Sequence, residues 1–591
     1  MSYPRLSAQR GGRVVVDTFA GYNHNLKIAD GEFYITKNLT TQHYPMLANR
    51  KRRGVLGRQF TNLQAIIAKD ALYWVDNGTL YANGYATGLT GLQTEHETQL
   101  VSMGAYICVF PDAKYINTQD LSDYGSMGAS WSYTGAVTYT MCHQDGSYYT
   151  DVTRSSTEPA NPANGAIWID ISDGDTVKEW SVYTESWTVL ETVYTRCDFS
   201  TQGQIPASFK EYDGVNVAGM YYSDLNGSKI LYAVGGRAAN AQANDSGEND
   251  YIVLVGICGE QYEQQSASIG IDRTVPDMDY VCEAQNRLWG CFYGNIPGKG
   301  NINEIYCCAL GDFRNWEQYL GVSTDSWRAS RGSDGPWTGC VNYLGTPTFF
   351  KENVIHPVSV SSIGAHQIGD IPARGVQQGS HKSLAIVNET LYYKARTGIV
   401  AYQGGMPADV GAALGDEKYY EATAGVFGSR YYISMKDTYN TWHFFCFDAK
   451  TGLWMHEDEL HAEGFAAWGD ELYCRSGNHI VAINGTEGVL EAPPDWIAET
   501  GIMHYEYPDR KYVSRYVIRL NMEREAQMQM FIEYDSSGVW TFAGSLKVQE
   551  TGSVTLPVRP RRCDHLRLRF EGKGDVRVFS IARILAKGSD V

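Results

Sequence analysis

Apolar and polar positions along this chain alternate in short bursts. Ala65-Ile66-Ile67-Ala68, Ala71-Leu72-Tyr73-Trp74-Val75 and Thr79-Leu80-Tyr81 are separated by Lys69-Asp70 and by Asp76-Asn77-Gly78. Apolar runs this short, bounded by tight polar turns, predict strands joined as hairpins, and Asn-Gly is the strongest short turn signal. A fourth strand is predicted between Leu100 and Phe110, ending at Pro111-Asp112. The cadence returns at 383–402, at 424–455 and at 464–483. In each unit a strand of small residues, a two-residue turn, an aromatic strand, a Gly-bearing turn and an apolar strand follow one another.

A period of about 40–50 residues is the spacing of propeller blades. A β-sandwich with long meanders is the alternative. Two segments break the rhythm. In 131–200 a Pro/Asn-rich lead, Glu158 to Gly165, feeds three short strands that carry Trp168, Trp180 and Trp187. This predicts a small module projecting from a blade. After Pro493-Pro494 the runs Ser514–Leu520, Met528–Tyr534 and His565–Phe570 alternate apolar with charged residues, the pattern of an antiparallel sheet with one solvated face. The predicted fold class is all-β: a β-propeller with an inserted small β-module and a C-terminal β-sandwich. Its expected parts are an extended N-terminal arm at 1–60, blades at 61–130 and 201–495, the insert at 131–200 and the sandwich at 496–591.

Composition supports all-β, with 61 Gly and 41 Tyr in 591 residues supplying turns and half-buried pleated surface. The net charge of −18 argues against a chain that binds nucleic acid by neutralising phosphates. An acidic wall would instead let DNA pass without sticking. The 12 cysteines are scattered without a Cys-x-x-Cys pair, which predicts buried free thiols rather than a zinc site or disulfide framework. Met1 to Val15 has no signal-peptide core and no apolar stretch is long enough for a membrane span, so no membrane anchor and assembly in a host cytoplasm are expected.

One block fits no strand pattern. Gly21–Asn25, Asp30–Phe33 and Asn38-Leu39-Thr40 lead through Tyr44-Pro45-Met46-Leu47 to Arg50-Lys51-Arg52-Arg53-Gly54. Polar residues around a proline and a basic run suggest an exposed arm. The block resembles the N-terminal segment of packaged-DNA-stabilisation and tail-nozzle proteins of short-tailed phages. Gly311-Asp312-Phe313-Arg314-Asn315-Trp316, after the strand Glu304–Cys308, is similar to a blade turn of such propellers. Pro159 to Trp187 is similar to small inserts of phage tail proteins. The resemblance implies a structural virion protein of the tail or head–tail joint. It would form a homo-oligomeric ring, a hexamer, below the portal and adaptor, and would retain and guide the passing genome.

No catalytic motif accompanies it. The sequence has no His-Glu-x-x-His, no Gly-x-Ser-x-Gly and no phosphate loop, so no enzyme activity, metal or cofactor is expected. Asp170-x-x-Asp173-x-Asp175 lacks calcium-loop spacing and reads as a solvated turn. Asp334–Trp337 and Asp535–Trp540 come near the turns of sialidase-like propellers; the second is the better echo, but it falls in the C-terminal sandwich and reads as a hairpin turn. The candidate contacts are for assembly: Tyr44, Arg50, Lys51, Arg52 and Arg53 against an acidic neighbour, with Arg559, Arg561 and Arg562 as a second surface. The competing function is a carbohydrate-binding or glycan-cleaving propeller for host attachment, which would account for the many aromatics.

Overall fold

The two-residue turns legible in the sequence organise the molecule. Asn77 and Gly78, with φ of 47° and 72°, take the doubly left-handed turn that matches the twist of paired strands. Strands Leu72–Asp76 and Thr79–Ala82 pair across it. A computed structural model describes residues 12–200, 205–236, 249–258, 268–361, 365–504, 510–548 and 550–587. Among these the chain is all-β, with twelve sheets, and its only helices are four single turns of 3₁₀ type.

Six of the sheets are up-and-down antiparallel meanders, each formed by consecutive strands. Their first strands are Leu63–Ala68, Gln99–Met103, Tyr280–Ala284, Gly339–Tyr343, Ala385–Val387 and Tyr419–Phe427. A seventh meander runs Gly464–Trp468, Glu471–Ser476, His479–Ala482, and its next strand is Gly54–Val55 from the N-terminal region. First strands touch from one meander to the next, and the seventh touches the first. Between the fourth and fifth the contact is made by the turn His381–Ser383 just before Ala385. Separate apolar clusters fill each gap; Phe350, Ile355, Leu391, Tyr393 and Val400, for example, lie between the fourth and fifth meanders.

The chain leaves this circuit once. Between the second and third meanders, residues 129–273 form three further sheets around one core that includes Trp131, Tyr139, Phe199, Val217 and Ile252. Ala129–Tyr133 pairs with Ile269–Arg273, so the excursion begins and ends at one point. The expected insert of 131–200 is therefore too short. Val137–Cys142 pairs with Tyr194–Phe199, which pairs in turn with Tyr251–Val255, so a single sheet spans the expected boundary at 200. The Trp-bearing strands lie within this larger unit as a four-stranded sheet from Val152 to Val189, where Trp187 packs 5.5 Å from Trp168 and 5.4 Å from Trp180. The next meander accordingly begins at Tyr280, not near 201.

The C-terminal strands form two six-stranded sheets over one core containing Trp496, Tyr516, Met530 and Phe570. The expected N-terminal arm is corrected here, because it supplies strands to both layers. Arg13–Val16 and Leu47–Asn49 pair with Val576–Lys587, and Glu32–Lys37 pairs with Asp495–Thr500. Phe33, Leu39 and Leu47 are buried in the same core. The block escaped the strand pattern because the edges that its strands join, Asp495–Thr500, His479–Ala482 and Val576–Lys587, lie more than 400 residues away, and polar turns interrupt it. Gly54 closes the seventh meander so tightly that a Cβ there would sit 1.8 Å from the Glu487 carbonyl oxygen.

Candidate functional site

The first strands of the meanders converge on a cavity of about 250 Å³. Glu97, just before the second meander, reaches His381 and Lys382, just before the fifth. Its Oε1 lies 2.8 Å from Lys382 Nζ and 3.0 Å from His381 Nε2. Lys382 Nζ also donates to the Glu463 carbonyl oxygen at 3.0 Å, and the Glu463 carboxylate lies 3.4 Å from Arg475 Nη2. Gln64 Nε2 donates to Thr98 Oγ1, and Gln99 Nε2 to the Asp279 carbonyl oxygen, tying the first meander to the second and the second to the third. The contacts of Glu97 bind meanders that are not sequence neighbours and line the cavity with paired charge.

Burial pushes the Glu97 carboxyl up, but its hydrogen bond to His381 and the charges of His381 and Lys382 outweigh this and hold it down at about 2. Glu97 is thus a fixed anion at neutral pH. A general acid in glycoside hydrolysis needs the opposite shift, together with a second free carboxylate across the scissile bond. None of these axial groups was singled out from sequence. They sit before or at the ends of strands in connections without a motif, and only the return of the chain brings them together.

The basic run divides by burial. Arg53 is buried, with Nη2 2.7 Å from Glu457 Oε2, Nη1 2.6 Å from Asp458 Oδ2, and its guanidinium 4.9 Å from the Phe444 ring centroid. Arg50 is also buried; it meets Asp458 at 3.3 Å and Glu491 at 2.5 Å and donates from Nε to Asn38 Oδ1. These two arginines lock the N-terminal strands to the last strand of the sixth meander. As candidate contacts with another subunit they are therefore corrected: their charges are spent inside the chain. Burial pushes Glu457 above the usual carboxylate range, while in Asp458 the opposing pull of Arg53 and Arg50 wins and its carboxyl is lowered.

Lys51 and Arg52 face outward and line a cavity of about 450 Å³ with His43, Glu523 and Asp575. Tyr44 is exposed. Arg559, Arg561 and Arg562 are exposed on a separate connection between Glu550–Pro557 and Leu566–Lys573, with Arg561 4.9 Å from the Tyr534 ring centroid. The two groups of candidates stand on different connections.

The remaining sequence signals have structural roles. Asp170 bonds Lys178 at 2.8 Å and Asp175 bonds Arg154 at 3.0 Å, so the acidic turn is held by cations of its own sheet. Phe313 and Trp316 are buried between the second and third meanders, while Asn315 Oδ1 accepts from Gly214 N at 3.0 Å and moors the insertion. Asp535–Trp540 lies at the hairpin between Gln527–Tyr534 and Trp540–Leu546. The cysteines are free thiols, buried except for Cys340, which is partly exposed. Among the described residues no helix is long and apolar enough to cross a membrane.

No family model matches the chain, and no curated protein matches it. Among solved structures, an exo-β-1,3-galactanase from Phanerochaete chrysosporium is similar at a TM-score of 0.21 and 8% identity, covering 50% of this chain and 94% of that one. A glycoside hydrolase is similar at 0.19 and 11% identity, covering 51% and 96%. A Cry1Da tryptic core variant from Bacillus thuringiensis is similar at 0.14 and 9% identity, covering 51% of each.

Proposed function

We propose that this chain is a non-catalytic structural protein of a tailed-phage virion, built as a seven-bladed β-propeller with a large insertion and a sandwich stitched to it by the N-terminal strands. The closed succession of first strands supports the propeller, with Gly54–Val55 completing the last blade. The resemblance of the Asn38–Gly54 block to nozzle and packaged-DNA-stabilisation proteins supports the virion role.

The observation that carries the non-catalytic reading is the paired axis. Glu97 is clamped by His381 and Lys382, and Glu463 by Arg475, where a propeller hydrolase would keep its acid and nucleophile free. The same clamps make a single propeller axis unsuited to threading DNA. In this reading the channel is bounded by several copies in a ring, with the exposed Lys51, Arg52, Arg559, Arg561 and Arg562 facing neighbours such as an adaptor. Gold-labelled antibody against the chain should decorate tailed particles on the tail axis near the head. Label confined to peripheral fibres, or hydrolysis of a glycan panel by the purified chain, would overturn the proposal.

A further inference from the structure

In the fourth to seventh meanders the second strand carries a cation at or near its end: Lys351, Lys394, Lys436 and Arg475. Three of the four are matched. Lys351 Nζ donates to Asn303 Oδ1 at 3.1 Å and to the Ser333 carbonyl oxygen at 2.7 Å, and lies 4.5 Å from the Trp337 ring centroid. Lys436 meets Glu421 at 2.6 Å, and Arg475 meets Glu463 at 3.4 Å. Lys394 has neither a carboxylate nor an aromatic face. It is 3% exposed, its Nζ donates to Gln377 Oε1 at 2.8 Å and to the Ala395 carbonyl oxygen at 2.6 Å, and these are its acceptors among the described residues. A buried ammonium with only neutral acceptors is costly unless something compensates its charge. Burial lowers its pKa to about 8.

Lys394 lies on the wall of a cavity of about 820 Å³ between the fifth and sixth meanders. That is the size of a small-molecule site. Two further cations in its lining, Arg396 and Lys418, are exposed and make no ion pair among the described residues. Three carboxylates, Asp409, Asp416 and Glu417, stand in the same lining. Asp409 accepts from Gly411 N at 2.8 Å with Oδ1, and its Oδ2 lies 3.9 Å from Arg374 Nη1. Three cations and three carboxylates leave this lining without net charge: the cations suit an anionic group, and the carboxylates readily accept hydrogen bonds from hydroxyls. The ligand that satisfies both halves has one negative charge and several hydroxyls.

We propose that this cavity binds an acidic sugar, a hexose-sized ring with one carboxylate, which sets its carboxylate against Lys394 Nζ and its hydroxyls against Asp409, Asp416 and Glu417. The site is independent of the virion reading, and its failure would leave that reading untouched. The test is calorimetric titration of the full chain with galacturonate, glucuronate and mannuronate, beside the matching neutral hexoses and inorganic phosphate. At least one uronate should bind at least tenfold tighter than its neutral counterpart and than phosphate. Lys394→Met should lose that preference while melting no lower than the parent. In the unaltered protein the affinity should fall as pH rises past about 8, because the ammonium form holds the carboxylate. Equal binding of uronate and neutral hexose, a preference for phosphate, no binding of any uronate, or a pH-independent affinity would overturn the proposal. If Lys394→Met does not fold, the pH series on the unaltered chain decides.

Discussion

Arg53→Met is the sharpest perturbation of this architecture. The guanidinium is buried between Glu457 and Asp458, at 2.7 and 2.6 Å, and it joins the strand that completes the seventh meander to the end of the sixth. Removing one partner of a buried ion pair leaves the other charge uncompensated and costs about 3–5 kcal/mol. Arg50 remains 4.0 Å from Glu457 and 3.3 Å from Asp458, which places the expected loss near the lower end. Urea denaturation followed by tryptophan fluorescence would read it as a shift of the first transition. Removing the orphaned acid as well, in the pair Arg53→Met with Glu457→Gln, should restore about 1–3 kcal/mol through coupling of the two sites.

The pH dependence of that deficit has a definite sign. Glu457 already titrates above its ordinary value of 4.5 because of burial, and loss of Arg53 removes the first of the cations that oppose this. A carboxyl whose folded pKa lies above its unfolded one stabilises the fold when protonated, so the deficit of Arg53→Met should shrink as pH falls from 7 towards 4.5. Lys51→Ala, whose parent side chain is exposed, should change stability by no more than about 0.5 kcal/mol. If Arg53→Met were equally silent, within about 0.5 kcal/mol, the buried cluster would be refuted and the run would be part of the exposed arm that its sequence suggests.

Further predictions concern the units of the fold. Excising 129–273 across the paired ends Ala129 and Arg273 should leave the remaining chain with a cooperative melt, whereas excising 131–200 should give an aggregating or protease-sensitive product, because it strips the partners of Tyr251–Val255 and Ile269–Arg273. Circular dichroism melting and limited proteolysis would separate the two. Deleting 21–54 should unfold the C-terminal unit rather than yield a folded chain that fails to assemble; the lost burial of Phe33, Leu39 and Leu47 alone is worth about 5–9 kcal/mol. Glu97, held down at about 2, contributes stability that is present above its ordinary value of 4.5 and lost as pH falls towards 2. Glu97→Gln should therefore remove part of the acid-side loss between those values, and an unchanged acid limb would contradict the axial clamp.

Local features were readable where local physics sets them. Turns such as Asn77-Gly78 and Asn388-Glu389, and the aromatic second strands they adjoin, stand where the pattern places them, because a two-residue turn and an alternating strand are decided within about ten residues. Non-local pairing was the part that sequence could not show. Glu32–Lys37 holds the strand-forming run Phe33-Tyr34-Ile35-Thr36 but lies among polar turns, and Gly54–Val55 is too short to announce itself; Asp495–Thr500 and His479–Ala482 offer the two their edges. The basic run misled for the same reason. Four adjacent cations look solvated until the chain brings Glu457, Asp458 and Glu491 to Arg50 and Arg53. Glu97 and Lys382 were invisible because nothing in their neighbourhoods encodes a contact across the circuit. The boundary near 200 failed because the insertion closes through Ile269–Arg273, far beyond its Trp-rich part.

The most direct test of the central claim is cryo-electron microscopy of the chain in tailed particles, read for copy number, position and blade count. A ring of about six or twelve copies on the tail axis is expected, each a seven-bladed propeller whose axis is bridged by the Glu97 clamp, and DNA bounded by the ring rather than threaded through a subunit. A monomer or trimer at the periphery of the particle, or an open subunit axis with Glu97 free of Lys382, would contradict the account.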